Sequence, residues 1–107
     1  MNPKKKYGPS TRCVHVGTGA DPNYGSVVTP IYQTTTYSIP NVEDLIALYS
    51  RKKTGYTYTS SGNPTQRAAE LKIADLEGSE DAAVFSAGMA AITAAINSIV
   101  ENGDEVI

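Results

Sequence analysis

A four-residue turn, Ser86-Ala87-Gly88-Met89, joins a short apolar segment at residues 82–85 to an apolar run over residues 90–100. That order predicts strand, tight turn, helix. The small residues let a ligand approach the main chain closely. The first amide groups of the following helix have no intrahelical partner and lie at the positive end of its dipole. Such an end suits an anion, most often a phosphate. A strand-to-helix turn with a lone glycine is common, so the remaining residues must decide what this one does.

The sequence of 107 residues carries 40% hydrophobic and 19% charged residues, the balance of a globular protein. A net charge of −2 argues against a general nucleic-acid binder. Charge is unevenly distributed: residues 1–53 hold seven Lys/Arg and three Asp/Glu, and residues 54–107 hold two and eight. All seven tyrosines fall within the first 58 residues. The tyrosine-rich half suits contact with a partner surface, because tyrosine offers an apolar body and a polar tip. The single cysteine, Cys13, excludes an internal disulfide and a multi-cysteine metal site, and the simplest setting is a reducing cytoplasm. Cys13 is expected to be a small buried hydrophobe. Lys4, Lys5 and Lys6 read as a solvated tail, since no signal-peptide core follows. No apolar run reaches membrane-spanning length. Asn63-Pro64-Thr65 is not a glycosylation site, because proline occupies its middle position.

Residues 1–40 are punctuated by glycine and proline and read as an extended arm lying on another surface. The run from Tyr32 to Tyr37 has strand propensity without clean alternation. Asn41 caps a short helix containing Leu45, Ile46 and Leu48. Asn63 caps a second helix, with Pro64 at its first position, Gln66 in the partner slot of a capping box and Gly78 as terminator. Its expected buried stripe is Ala69, Ile73 and Leu76, with Glu70, Lys72, Asp75 and Glu77 facing water. The helix after Ser86 is apolar on most of its circumference and needs cover on more than one side. A further strand is expected at residues 104–107. Helix, strand, helix, strand is the pattern of an α/β protein. The chain therefore reads as the front end of a longer one: residues 1–62 form an arm and inter-subunit loop region, and residues 63–107 begin an α/β domain.

Taken in order, these motifs resemble the amino-terminal portion of the pyridoxal-phosphate (PLP) enzymes of sulfur amino-acid metabolism. That family includes cystathionine γ-synthase, the cystathionine lyases, methionine γ-lyase and O-acetylhomoserine sulfhydrylase. The resemblance runs from Thr11-Arg12-Cys13-Val14-His15-Val16-Gly17 through Val28-Thr29-Pro30-Ile31-Tyr32-Gln33-Thr34-Thr35-Thr36-Tyr37. It continues through Gly62-Asn63-Pro64-Thr65, Leu76-Glu77-Gly78 and Gly88-Met89 to Gly103-Asp104-Glu105-Val106.

The resemblance implies a fold-type I, aspartate-aminotransferase-like large domain preceded by an arm. It implies PLP as cofactor, a sulfur amino acid as substrate, and β/γ-elimination or γ-replacement as reaction. It also implies a homo-oligomer built from active-site dimers, commonly a tetramer. By the same resemblance, main-chain amides at Gly88 and Met89 hold the cofactor phosphate, and Tyr58 reaches the PLP of a neighbouring subunit. The family's arginine two residues after that tyrosine is replaced here by Ser60; Arg51, Lys52 and Lys53 are nearby cations that could compensate. The lysine that holds PLP lies downstream in the family. None of Lys4, Lys5, Lys6, Lys52, Lys53 or Lys72 matches its context, so this stretch alone is expected to be inactive. Tyr56 and His15 read as structural, and Asn63 as a cap that steadies the Tyr58 loop. Two other classes compete: a nucleotide-phosphate-binding α/β module, disfavoured because Gly88 stands alone, and a non-catalytic assembly fragment.

Overall fold

In a computed structural model of the chain, residues 7–19, 21 and 23–107 are described. The expected tail at Lys4, Lys5 and Lys6 lies outside them. Among the described residues four helices follow one another: α1 (Pro9–His15), α2 (Val42–Tyr49), α3 (Pro64–Glu77) and α4 (Gly88–Asn97). A 3-10 turn at Thr59–Ser61 precedes α3.

Local chemistry sets the ends of α2 and α3. Asn41 accepts a hydrogen bond from the Asp44 amide at 2.7 Å, and Glu43 and Asp44 place negative charge in the first turn of α2. Asn63 accepts from the Thr65 amide at 2.8 Å, and Pro64 needs no partner where it stands. Gly78 closes α3 in the left-handed conformation at φ 73°. Gln66 does not complete a capping box. Its amide instead donates to Glu70 Oε1 at 3.3 Å and to the Val84 carbonyl at 3.5 Å.

The first part of the expected arm is α1, started by Pro9 after an extended Gly8. Among the described elements only α1 and α3 pack against one another. Arg12 Nε meets Asp75 Oδ2 at 2.7 Å, so Asp75 is paired rather than simply solvated. Just beyond α1, Gly17 adopts φ 72° with its α-carbon against the Ala68 carbonyl, an approach that leaves no room for a side chain. Cys13 is exposed rather than buried, because α1 turns Arg12 toward α3 and leaves the neighbouring position outward.

The expected strands do not form. Residues 82–85 and 104–107 are irregular, and the described residues contain one isolated bridge, between Thr36 and Tyr58. A strand needs a neighbouring backbone, and residues 82–85 find side chains instead. The Val84 amide donates to Glu70 Oε1 at 3.4 Å, its carbonyl accepts from Gln66, and the Ala82 amide donates to Asp81 at 2.9 Å. Glu70 is therefore drawn inward, contrary to its expected solvent-facing role. The buried stripe of α3 also differs. Ala69 is exposed, Ile73 and Leu76 are 44% and 40% exposed, and Ala74 is the one buried hydrophobic residue of the described chain. The apolar face of α4 is likewise open, with Met89 at 69% and Ile92 at 52% exposure, and α4 packs on no other described element.

Candidate functional site

Tyr58 and Ser60 sit in a loop fastened by main-chain bonds. The Tyr37 amide donates to the Thr57 carbonyl at 3.0 Å and the Thr59 amide to the Thr35 carbonyl at 2.8 Å. These bonds flank the antiparallel Thr36–Tyr58 bridge. The Thr59 hydroxyl adds a bond to the Thr34 carbonyl. Tyr58 has extended backbone at φ −147° and is 46% exposed. Ser60 lies in the 3-10 turn, exposed. Tyr56 packs its ring against Tyr37 at 5.6 Å between centroids, the structural role expected of it.

The start of α3 clamps this ladder. Asn63 is buried, and its Nδ2 donates to the Tyr32 carbonyl at 2.9 Å and to Thr59 Oγ1 at 3.3 Å. Thr65 Oγ1 donates to the Pro30 carbonyl and accepts from the Tyr32 amide, both at 2.9 Å. Asn63-Pro64-Thr65 is thus both a helix start and a lock on residues 30–32 and 59. The sequence signals the cap but not the lock. The threonine- and tyrosine-rich runs at 32–37 and 56–59, both strand formers, are the trace it leaves.

At the far side of the arm, Asp21 is buried and accepts from the Tyr24 amide at 2.7 Å and from the Tyr32 hydroxyl at 3.4 Å. Burial, and then the Asp21 carboxylate, push the Tyr32 phenol above its ordinary value, which keeps it a donor. On α3, Arg67 Nη1 meets Asp81 Oδ1 at 2.6 Å and Glu70 Oε2 at 3.4 Å. The Asp81 hydrogen bond raises the Arg67 guanidinium, and the Arg67 hydrogen bond lowers the Asp81 carboxyl. His15 is exposed at the end of α1.

Gly88 and Met89 open α4. Ala87 precedes them in extended conformation and offers no side-chain cap. The Ala90 and Ala91 amides turn back to the Ala87 carbonyl at 3.1 and 3.2 Å, so the first free amides of the helix are those of Gly88 and Met89. No acidic residue lies in the first turn, and a Cβ built on Gly88 meets nothing within 4 Å. This end fits a small anion sterically and electrostatically. The structure brings Tyr58 and Ser60 together, but the turn holding Ser60 and α4 do not pack on each other. No cluster of His, Cys, Asp and Glu suited to a metal occurs among the described residues. No helix among them is long and apolar enough to cross a membrane.

Residues 10–107 match the family described as Cys/Met metabolism PLP-dependent enzyme. The L-methionine gamma-lyase of Pseudomonas deceptionensis is 39% identical over 108 aligned residues, which cover 100% of this chain and 27% of that protein. The cystathionine gamma-synthase of Mycobacterium tuberculosis is 37% identical over 100 residues, covering 94% of this chain and 24% of that one. Among solved structures, the O-acetylhomoserine (thiol)-lyase of Campylobacter jejuni, which carries a pyridoxyl-lysine phosphate, superposes with a TM-score of 0.83 at 27% identity over 92% of this chain and 24% of its own. Cystathionine gamma-lyase from Lactobacillus plantarum, complexed with L-serine, gives 0.73 at 30% identity over 92% of this chain and 23% of its own. The chain thus spans about a quarter of the length of these relatives. It has the amino-terminal portion of their α/β, fold-type I architecture. A match along almost the whole chain, together with an open helix end suited to a phosphate, leads to one assignment: the chain belongs to the Cys/Met metabolism family of enzymes, whose cofactor is PLP.

Proposed function

We propose that the whole protein is a PLP-dependent lyase or transferase that eliminates or replaces a group at the β or γ carbon of a sulfur amino acid. The observation that carries this reading is the start of α4, where two amides lack a capping side chain and a Cβ on Gly88 would meet nothing within 4 Å, in a chain of this family. When bound, PLP supplies an electron sink for loss of the α-proton and of the leaving group. The Gly88 and Met89 amides bind its phosphate. Tyr58 serves the site of a second copy, a role supported by its 46% exposure. The assembly is accordingly a dimer of shared sites or a tetramer of two such dimers. Ser60 offers one neutral hydrogen bond where an arginine would give two charge-assisted ones.

Residues 1–62 act as arm and inter-subunit segment, and residues 63–107 as the start of the PLP-binding domain. The lysine that holds PLP belongs to the remainder of the whole protein, so residues 1–107 alone are inactive. The exposed free thiol of Cys13 favours a reducing cytoplasmic setting. The test is the absorbance spectrum of the whole protein mixed with PLP, followed by a thiol-release assay on sulfur amino acids. A visible band from protein-bound cofactor and turnover of at least one such substrate are expected. A colourless, inactive protein would leave a nucleotide-phosphate module or a docking fragment as the better reading.

A further inference from the structure

Away from Gly88 and Met89, the C-terminal end of α2 and the first turns of α3 border an open groove of about 600 Å³. Arg51, Lys53 and Arg67 contribute three cations to its wall, Tyr56 and Leu48 contribute apolar surface, and no carboxylate lines it. Two of the cations are held in place. Lys53 Nζ meets Asp44 Oδ1 at 2.7 Å, and Arg67 is fixed by Asp81 and Glu70. Arg51 has no carboxylate partner among the described residues, so of the three cations it is the one left open to an added anion.

The backbone at Arg51 adds an independent observation. At φ 57° it is the one non-glycine residue of positive φ among the described residues. Its amide donates to the Leu48 carbonyl at 3.0 Å, and the next two amides donate to Ala47 at 2.9 and 3.1 Å, closing α2. Glycine is the usual tenant of that closing position, because a side chain there is strained. The strained arginine is one of the residues that line the groove.

We propose that this groove is an anion subsite for a small ligand. A carboxylate or phosphate group meets Arg51, with Lys53 and Arg67 beside it, while the apolar body of the ligand lies on Tyr56 and Leu48. Gly88, Met89 and Ser60 take no part, so the subsite stands whether or not the PLP assignment of those residues holds.

The experiment is calorimetric titration of the whole protein, saturated with PLP, using succinate in one arm and inorganic phosphate in the other. Arg51→Gly removes the charge and relieves the left-handed strain, so the variant melts higher while anion affinity falls about tenfold or more. Lys52→Ala removes an equal charge just outside the wall and changes affinity by less than about twofold. This contrast separates a site from general attraction. Tighter succinate binding assigns a carboxylate ligand, and tighter phosphate binding a phosphorylated one. The proposal is overturned if the unaltered protein binds neither anion saturably, if both variants weaken binding equally, or if Arg51→Gly leaves it intact. Failure to take up PLP shows separately, in the absorbance of the same sample.

Discussion

Asn63 Nδ2 donates to the Tyr32 carbonyl across 31 residues of sequence, while Oδ1 of the same amide caps α3. One buried side chain thus joins the arm to the helix that follows the Tyr58 loop. Asn63→Ala removes the cap and strands a carbonyl, for an expected loss of about 2–3 kcal/mol in denaturant unfolding. Asn63→Asp keeps the capping oxygen but sets it against the Tyr32 carbonyl, and intermediate stability is expected. Equal stability of all three proteins would show that the clamp contributes nothing.

The helix end at Gly88 offers a test that spares the fold. Proline fits the first helical position, and Ala87 already has the extended backbone that a following proline requires. Gly88→Pro deletes one amide donor, so PLP affinity should fall about tenfold to a hundredfold. Met89→Leu should leave affinity nearly unchanged, because the proposed contact uses only its backbone. Circular dichroism of both variants should match the parent.

Ser60 is exposed in its turn, so a longer side chain can leave toward solvent. Ser60→Arg is expected to tighten PLP binding about tenfold in the assembled protein, because in the proposed site a charge-assisted bond would replace a neutral one. Absence of tightening would show that charge at this position does not govern phosphate binding.

Two left-handed glycines should respond differently to alanine. Gly78 has open space around a Cβ, so Gly78→Ala carries only the backbone strain, about 1 kcal/mol. At Gly17 the Cβ would fall on the Ala68 carbonyl, so α1 must move off α3, and a loss above about 3 kcal/mol is expected. Thermal unfolding of the two variants decides the order.

The Arg67–Asp81 pair predicts a pH dependence. Its hydrogen bond lowers the Asp81 carboxyl below the ordinary carboxylate value. The bond therefore stabilises the folded state at pH above the unfolded carboxylate value, and the effect disappears as pH falls through the lower folded value. Asp81→Asn should be less stable than the parent near neutrality, with the gap closing in strong acid. The effect is small because Asp81 is largely exposed.

What could be read directly from the residues was local. The caps at Asn41 and Asn63, the start at Pro64 and the stop at Gly78 each act within about a turn of their own position, and all four stand as expected. The ordered motifs from Thr11 onward were also enough to identify the family. Longer-range contacts were not legible in this way. Residues 82–85 look like a strand by composition, yet a strand exists only where another backbone pairs with it, and here Gln66 and Glu70 supply the bonds. The burial expected at Ile73, Leu76 and Cys13 required neighbouring surfaces, and periodicity states only which face such surfaces would cover. The lock between Asn63, Thr65 and the arm joins positions about thirty residues apart. Tertiary packing alone decided those pairings, since a side chain's partner depends on where the whole chain brings its distant groups.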